Sequence, residues 1–155
     1  MKTCGILAVQ GDFAKHDDMM NQLGVRTQLV RTRAELENCD GLILPGGEST
    51  TLINLIQKHK LWDDLLAFGQ DHLMFGTCAG AIILANEIHQ SSQPSFNLID
   101  ITIARNAYGR QIDSFIDSIT LEIDPSSSFE GYFIRAPKIL RTGPNVNILA
   151  RHNDN

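Results

Sequence analysis

Apolar residues in the first half of the chain come in short unbroken runs, separated by stretches with helical spacing. "CGILAVQ" (4–10) is one such run and ends at Gly11, as a buried strand would. In the "DFAKHDDMMNQLG" that follows, Phe13, His16, Met20 and Leu23 recur at helical intervals, with Gly24 as the stop. "VRTQLV" (25–30) alternates like a strand, and "TRAE" (32–35) has the residues of a capping box for a short helix. "DGLILPGG" (40–47) is an apolar strand running into a Pro-Gly-Gly turn. "STTLINLIQKHK" (49–60) opens with cap residues and keeps Leu52, Leu55 and Ile56 on one face. "LWDDLLAFGQDH" (61–72) predicts another helix, "LMFG" (73–76) another buried strand, and "CAGAIILANEI" (78–88) a helix starting at the cysteine itself.

Strand–helix alternation with strands apolar on both faces predicts an α/β fold, an open, mostly parallel sheet flanked by helices. The pattern changes after Gln90. "FNLIDITIARN" and "SITLEID" alternate cleanly, with Ile119, Leu121 and Ile123 on one face and Thr120, Glu122 and Asp124 on the other. Half-exposed antiparallel strands fit this C-terminal portion. No repeat or linker divides the chain, so residues 1–155 read as a single domain. "NVNILAR" (145–151) reads as a strand and "HNDN" (152–155) as the turn leading to its partner. The expectation is that a covering strand is absent and a sheet edge is left open.

Composition narrows the function. The chain has 155 residues, 43% of them hydrophobic and 20% charged, enough to bury a core without disulfides or a structural metal. A net charge of −5 argues against nucleic acid or an anionic membrane surface as partner. No apolar window is long enough to span a bilayer, and the N-terminus reaches Gln10 and Asp12 too soon for a secretory signal, so the expected location is cytoplasmic. Cys4, Cys39 and Cys78 form no disulfide framework, and the histidines show no metal-ligand spacing. No metal is expected.

The candidate chemistry centres on "GTCAG" (76–80), a G-x-C-x-G element between a predicted strand and a predicted helix. Its serine counterpart is the nucleophile elbow, a sharp turn that holds the nucleophile above the sheet. Cys78 would sit at a helix N-terminus, a place that favours a thiolate. A free cysteine is more often a small buried hydrophobe, and that plainer role suits Cys4 and Cys39. A second strand end, "LPGGEST" (44–50), shifts the balance at Cys78. Set beside the elbow, the N–H groups of Gly47 and Ala79 would form an oxyanion hole, each donor stabilising a transition state by about 3 kcal/mol. The plainer alternative for this stretch is a helix capped by Ser49.

"LAVQGDF", "DGLILPGGESTT", "MFGTCAGAIILA", "RNAYGRQIDSF" and "GYFIRAP" together resemble the glutaminase subunits of pyridoxal 5′-phosphate synthases, a family of class I (triad) glutamine amidotransferases. The resemblance runs nearly end to end. It implies a flavodoxin-like amidotransferase fold and a Cys78 nucleophile that attacks the carboxamide of L-glutamine to give a γ-glutamyl thioester and ammonia. It also implies oxyanion binding by Gly47 and Ala79, and substrate binding by Gln10, Gly47, Glu48, Ser49, Arg105, Ile134 and Arg135. Arg105 suits a carboxylate, which a guanidinium can pair in bidentate fashion. The implied partner is a (β/α)8-barrel synthase subunit that receives the ammonia. Pyridoxal phosphate would be the product of that complex, in vitamin B6 biosynthesis, and no cofactor is expected on this chain.

The family completes its triad with a His-Pro-Glu segment, and these 155 residues contain none. His152 lies in a turn that resembles a non-catalytic one, and His16, His59, His72 and His89 fall in or beside predicted helices, where solvated or capping roles are expected. The triad's His and Glu therefore have no counterpart here. The chain reads as C-terminally incomplete, and these residues alone are not expected to turn glutamine over, since no acid protonates the leaving ammonia. Two rivals stay open: a truncated binding subunit without catalysis, and another Cys-dependent α/β hydrolase.

Overall fold

The structure, a computed structural model, describes residues 2–105, 107, 115–122, 124–133 and 137–152. They gather into two compact units, Met1–Ala85 with Gln93–Leu98, and Asn86–Ser92 with Ile99–Asn155.

The first unit runs β1 (Thr3–Leu7), α1 (Phe13–Gln22), β2 (Arg26–Val30), α2 (Arg33–Leu36), β3 (Gly41–Leu44), α3 (Ser49–Lys58), α4 (Trp62–Asp71), β4 (Leu73–Gly76) and α5 (Ala79–Leu84). Its strands form one sheet in the order β2-β1-β3-β4, and every neighbouring pair is parallel. This is the open, mostly parallel sheet flanked by helices that the apolar runs predict. The core follows from the same runs. Ile6, Leu7, Leu42 and Leu44 from the strands are at most 2% exposed, as are Leu52 and Ile56 of α3 and Leu65 of α4. Each such leucine or isoleucine contributes roughly 1.5–3 kcal/mol by leaving water.

Local signals set several boundaries. Thr32 and Glu35 form the predicted capping box, each side chain holding the other's backbone N–H. Gly24 ends α1 at φ +71°, with its N–H on Asn21 O and the Val25 N–H on Met20 O, the paired bonds of a Schellman turn. Lys60, at φ +57°, closes α3 in the same way, through Gln57 O and Ile56 O.

Four expectations need correction. The helix read over 78–88 stops at Leu84, and Ala85–Ile88 form strand β5. The carbonyls of Ile83 and Leu84 accept from Phe96 and Leu98 N–H, so a returning segment captures the groups that a longer helix would have used. The strand read at 73–76 exists but is not buried, with Leu73 83% and Phe75 58% exposed. It is the last strand in the order, and only Met74, between those two, packs on the core. On α3 the buried set is Leu52, Ile53 and Ile56, with Leu55 half-buried. Finally, of the strand read over 145–151 only β10 (Ala150–Arg151) is present.

The second unit is antiparallel, as its alternation predicts. β7 (Phe115–Leu121) lies between β8 (Asp124–Phe133) and β10, and β6 (Ile99–Ala104) pairs with β9 (Lys138–Thr142). Ile119 and Leu121 are half-buried while Thr120 and Glu122 are exposed; Ile123 lies outside the described residues. Arg141 fastens β9 to β6 through Asp100 at 2.6 Å and Thr102 Oγ1 at 3.3 Å.

Candidate active site

Strand order decides where a ligand can sit. The chain leaves β1 for β2 on one side and returns to β3 on the other, so the connections diverge at the carboxyl ends of β1 and β3. In open α/β sheets such a switch point is the binding crevice. Three turns of the first unit meet there: Gln10-Gly11-Asp12 after β1, Pro45-Gly46-Gly47 after β3, and Thr77-Cys78 after β4.

The third turn carries the cysteine. Cys78 has φ +48° and ψ −105°, outside the regions that a side chain favours. Thr77 N–H donates to Leu44 O at 3.1 Å, Gly80 N–H to Thr77 O at 2.9 Å, and Ile82 N–H to Cys78 O at 3.0 Å. The turn is thus tied to β3 behind it and to α5 ahead. Both flanking glycines are required by space. A Cβ on Gly76 would lie 2.6 Å from Ala81 N, and one on Gly80 would strike Leu44 O and lie 2.7 Å from Leu44 Cβ. Cys78 is half-buried, and its Sγ stands 3.9 Å from Gly47 O.

The Gly-rich turn closes on the cysteine from β3. A Cβ on Gly46 would come within 3.2 Å of Cys78 Cβ. Gly47 has φ +149°, and a side chain there would press on the Gln10 amide, 2.8 Å from Oε1. Gly11, at φ +83°, lets the first turn approach in turn, since a Cβ there would meet Gly46 O. Gln10 Nε2 is shielded from solvent and donates to no atom among the described residues.

Glu48, not Ser49, caps α3. Its carboxylate accepts from Thr50 N–H at 3.1 Å and from Thr51 N–H at 2.7 Å, while Ser49 Oγ turns inward to Gln93 Oε1 at 3.4 Å. Glutamate has one methylene more than the usual cap residues, and the extended backbone at Glu48 lets it fold back onto the helix start. Partial burial alone would raise the Glu48 carboxyl, but the Thr51 and Thr50 hydrogen bonds together hold it below its ordinary value. A lowered carboxyl stabilises the fold above its unfolded pKa, and that contribution is lost as pH falls through the folded value. Glu48→Ala is therefore expected to destabilise by about 1 kcal/mol at pH 7, typical for loss of a cap. The deficit should shrink below pH 4, which urea midpoints across that range would check.

His16 does not have the solvated or capping role expected of it. It is half-buried, and its Nε2 lies 3.2 Å from Thr77 Oγ1, next to the cysteine. Its helical spacing in α1 gave only a face of the helix; the contact partner is 61 residues away. Arg105 lies in the second unit, in the turn after β6. Ile134 and Arg135 lie outside the described residues. Among the described residues no three His, Cys, Asp or Glu side chains group as metal ligands, and no helix is long and apolar enough to cross a membrane.

A parallel sheet in this order, with a cysteine on a strained strand-to-helix turn facing a glycine turn, defines the class: an α/β domain with a glycine-flanked cysteine turn at its switch point. The sequence pattern of the SNO glutamine amidotransferase family matches residues 6–155. The pyridoxal 5′-phosphate synthase subunit PdxT of Francisella tularensis subsp. novicida is 43% identical over 150 residues, 97% of this chain and 79% of that protein. Its counterpart in F. tularensis subsp. tularensis is 44% identical over 148 residues, 96% of this chain and 78% of the relative. A crystal structure of a glutamine amidotransferase superposes with a TM-score of 0.87 at 42% identity, covering 97% of this chain and 80% of the other. The chain belongs to the SNO glutamine amidotransferase family.

Proposed function

We propose that the chain is the glutaminase subunit of a pyridoxal 5′-phosphate synthase, hydrolysing L-glutamine and passing ammonia to a (β/α)8-barrel synthase subunit in the cytoplasm. The observation that carries this reading is the strained Cys78 elbow facing the Gly47 turn, in a chain whose 43%-identical relative is named as a subunit of that synthase. In the proposed reaction Cys78 Sγ adds to the carboxamide carbon of glutamine. The C–N bond then breaks, leaving a γ-glutamyl thioester and ammonia, and water cleaves the thioester to glutamate and free thiol. Donors from Ala79 N–H and Gly47 N–H would hold the developing oxyanion. Gln10, whose buried amide abuts Gly47, is positioned to add a further donor. Glu48, Ser49, Arg105, Ile134 and Arg135 complete the proposed substrate contacts, and Glu48 would contribute chiefly through the turn that it caps. No residue of these 155 is assigned the base or the acid of the triad, so the proton transfers to ammonia and from water are not assigned to them. Pyridoxal phosphate is the product of the complex in this reading, with no cofactor held by the chain.

The test is labelling with a chloroketone analogue of glutamine in the presence of the synthase subunit. One adduct on Cys78, absent from Cys78→Ala and suppressed by L-glutamine, is expected. Labelling of Cys78 that L-glutamine does not suppress would sink the glutamine assignment.

A further inference from the structure

We propose that His16 is a positioning residue for Cys78, acting through Thr77. This rests on the reading of Cys78 as the nucleophile. A residue other than glycine holds a left-handed, off-region backbone only where its surroundings over-determine it. At Cys78 three restraints converge on the preceding residue. Thr77 N–H is fixed to Leu44 O on β3, Thr77 O to Gly80 N–H on α5, and Thr77 Oγ1 to His16 Nε2 on α1. The first two restraints are backbone bonds that any residue but proline could make at 77. The third depends on two side chains, and among the described residues it is the side-chain hydrogen bond that reaches the elbow from α1.

Helix α1 is well placed for this and has little else to do in the core, since none of its side chains is fully buried. It starts from the turn that already touches the site, where Gly11 lies against Gly46 O. His16 sits one turn into the helix, so its ring extends across the carboxyl end of the sheet to Thr77. Neutral imidazole can accept from the hydroxyl or donate to it, depending on its tautomer. Losing the bond frees Thr77 to rotate and lets the elbow relax, which withdraws Sγ from its presented position.

The experiment is the rate of Cys78 alkylation by iodoacetamide, followed by mass spectrometry on the purified chain and paired with thermal unfolding. The reagent reports on the sulfur without glutamine, so its outcome is separate from that of the glutamine analogue. His16→Ala and Thr77→Val are each expected to slow alkylation about fivefold, and the double variant no further, as for two residues in one interaction. His16→Gln and Thr77→Ser keep a hydrogen-bonding group and should stay within about twofold of wild type. A wild-type rate in His16→Ala would overturn the proposal. So would a double variant slowed by the product of the two single effects, or slowing that only tracks a lower unfolding temperature. Should His16→Ala fail to fold, Thr77→Val against Thr77→Ser decides alone: equal rates reject the role.

Discussion

Gly80→Ala is expected to destabilise the protein by about 3 kcal/mol, the upper end for overpacking a tight interior. The methyl group would strike Leu44 O and lie 2.7 Å from Leu44 Cβ and 2.8 Å from Leu44 C. Those atoms belong to a strand paired on both sides, and Leu44 is fully buried, so the neighbour cannot turn away. Relief requires α5 to move off β3, which displaces Cys78 at its start. With stabilities of about 5–15 kcal/mol for natural domains, such a loss is a large fraction of the total. In urea it corresponds to a midpoint lower by about 1.5 M, taking a slope of about 2 kcal/mol/M. Gly24→Ala is the control: its φ is +71°, but nothing lies within 4 Å, so only the backbone penalty of about 1–2 kcal/mol applies. Equal shifts for the two variants would show that α5 does not depend on close approach to Leu44.

The second large effect is thiol selectivity. Burial pushes the Cys39 thiol up to about 11, with smaller contributions from Cys4, Asp40 and Glu35, and burial raises Cys4 as well. Only the thiolate reacts, so at pH 8 a rise from 9.0 to about 11 slows Cys39 about a hundredfold. Cys39 is also only 6% exposed, with its S–H donating to Glu35 O at 3.4 Å. Iodoacetamide at pH 8 should therefore modify Cys78 first in the native protein, and all three cysteines together once urea unfolds it. Peptide mapping that finds Cys39 modified as fast as Cys78 in the native state would contradict this burial. The same shift has a consequence for stability. The unfolded thiol ionises near 9.0 while the folded one stays protonated, so stability should fall as pH rises from about 9 towards 11. Cys39→Ser, whose hydroxyl does not titrate in that range, should flatten the fall.

Much of the first unit was readable because its signals are local. The capping box at Thr32 and Glu35 and the glycine stop at Gly24 need only neighbours within one helical turn. The elbow at 76–80 was readable for a related reason, since Gly76 and Gly80 mark close backbone approach whatever the partner. The errors have the opposite character. Nothing within 78–88 tells that residues 96 and 98 will take the carbonyls of Ile83 and Leu84. Apolar residues at 73–76 fit a buried strand equally well, and only the sheet order leaves Leu73 and Phe75 exposed.

By itself the sequence determined most elements of the first unit, its parallel class, and the residue types at the candidate site, because hydrophobic period and turn chemistry act over a few residues. The tertiary structure alone decided which of those residues meet. It put the Gln10, Gly47 and Cys78 turns at one switch point, gave the α3 cap to Glu48, and joined His16 to Thr77 across 61 residues. Those contacts depend on strand order and on which face each helix presents, and both are set by burial of the whole core rather than by any single stretch of chain.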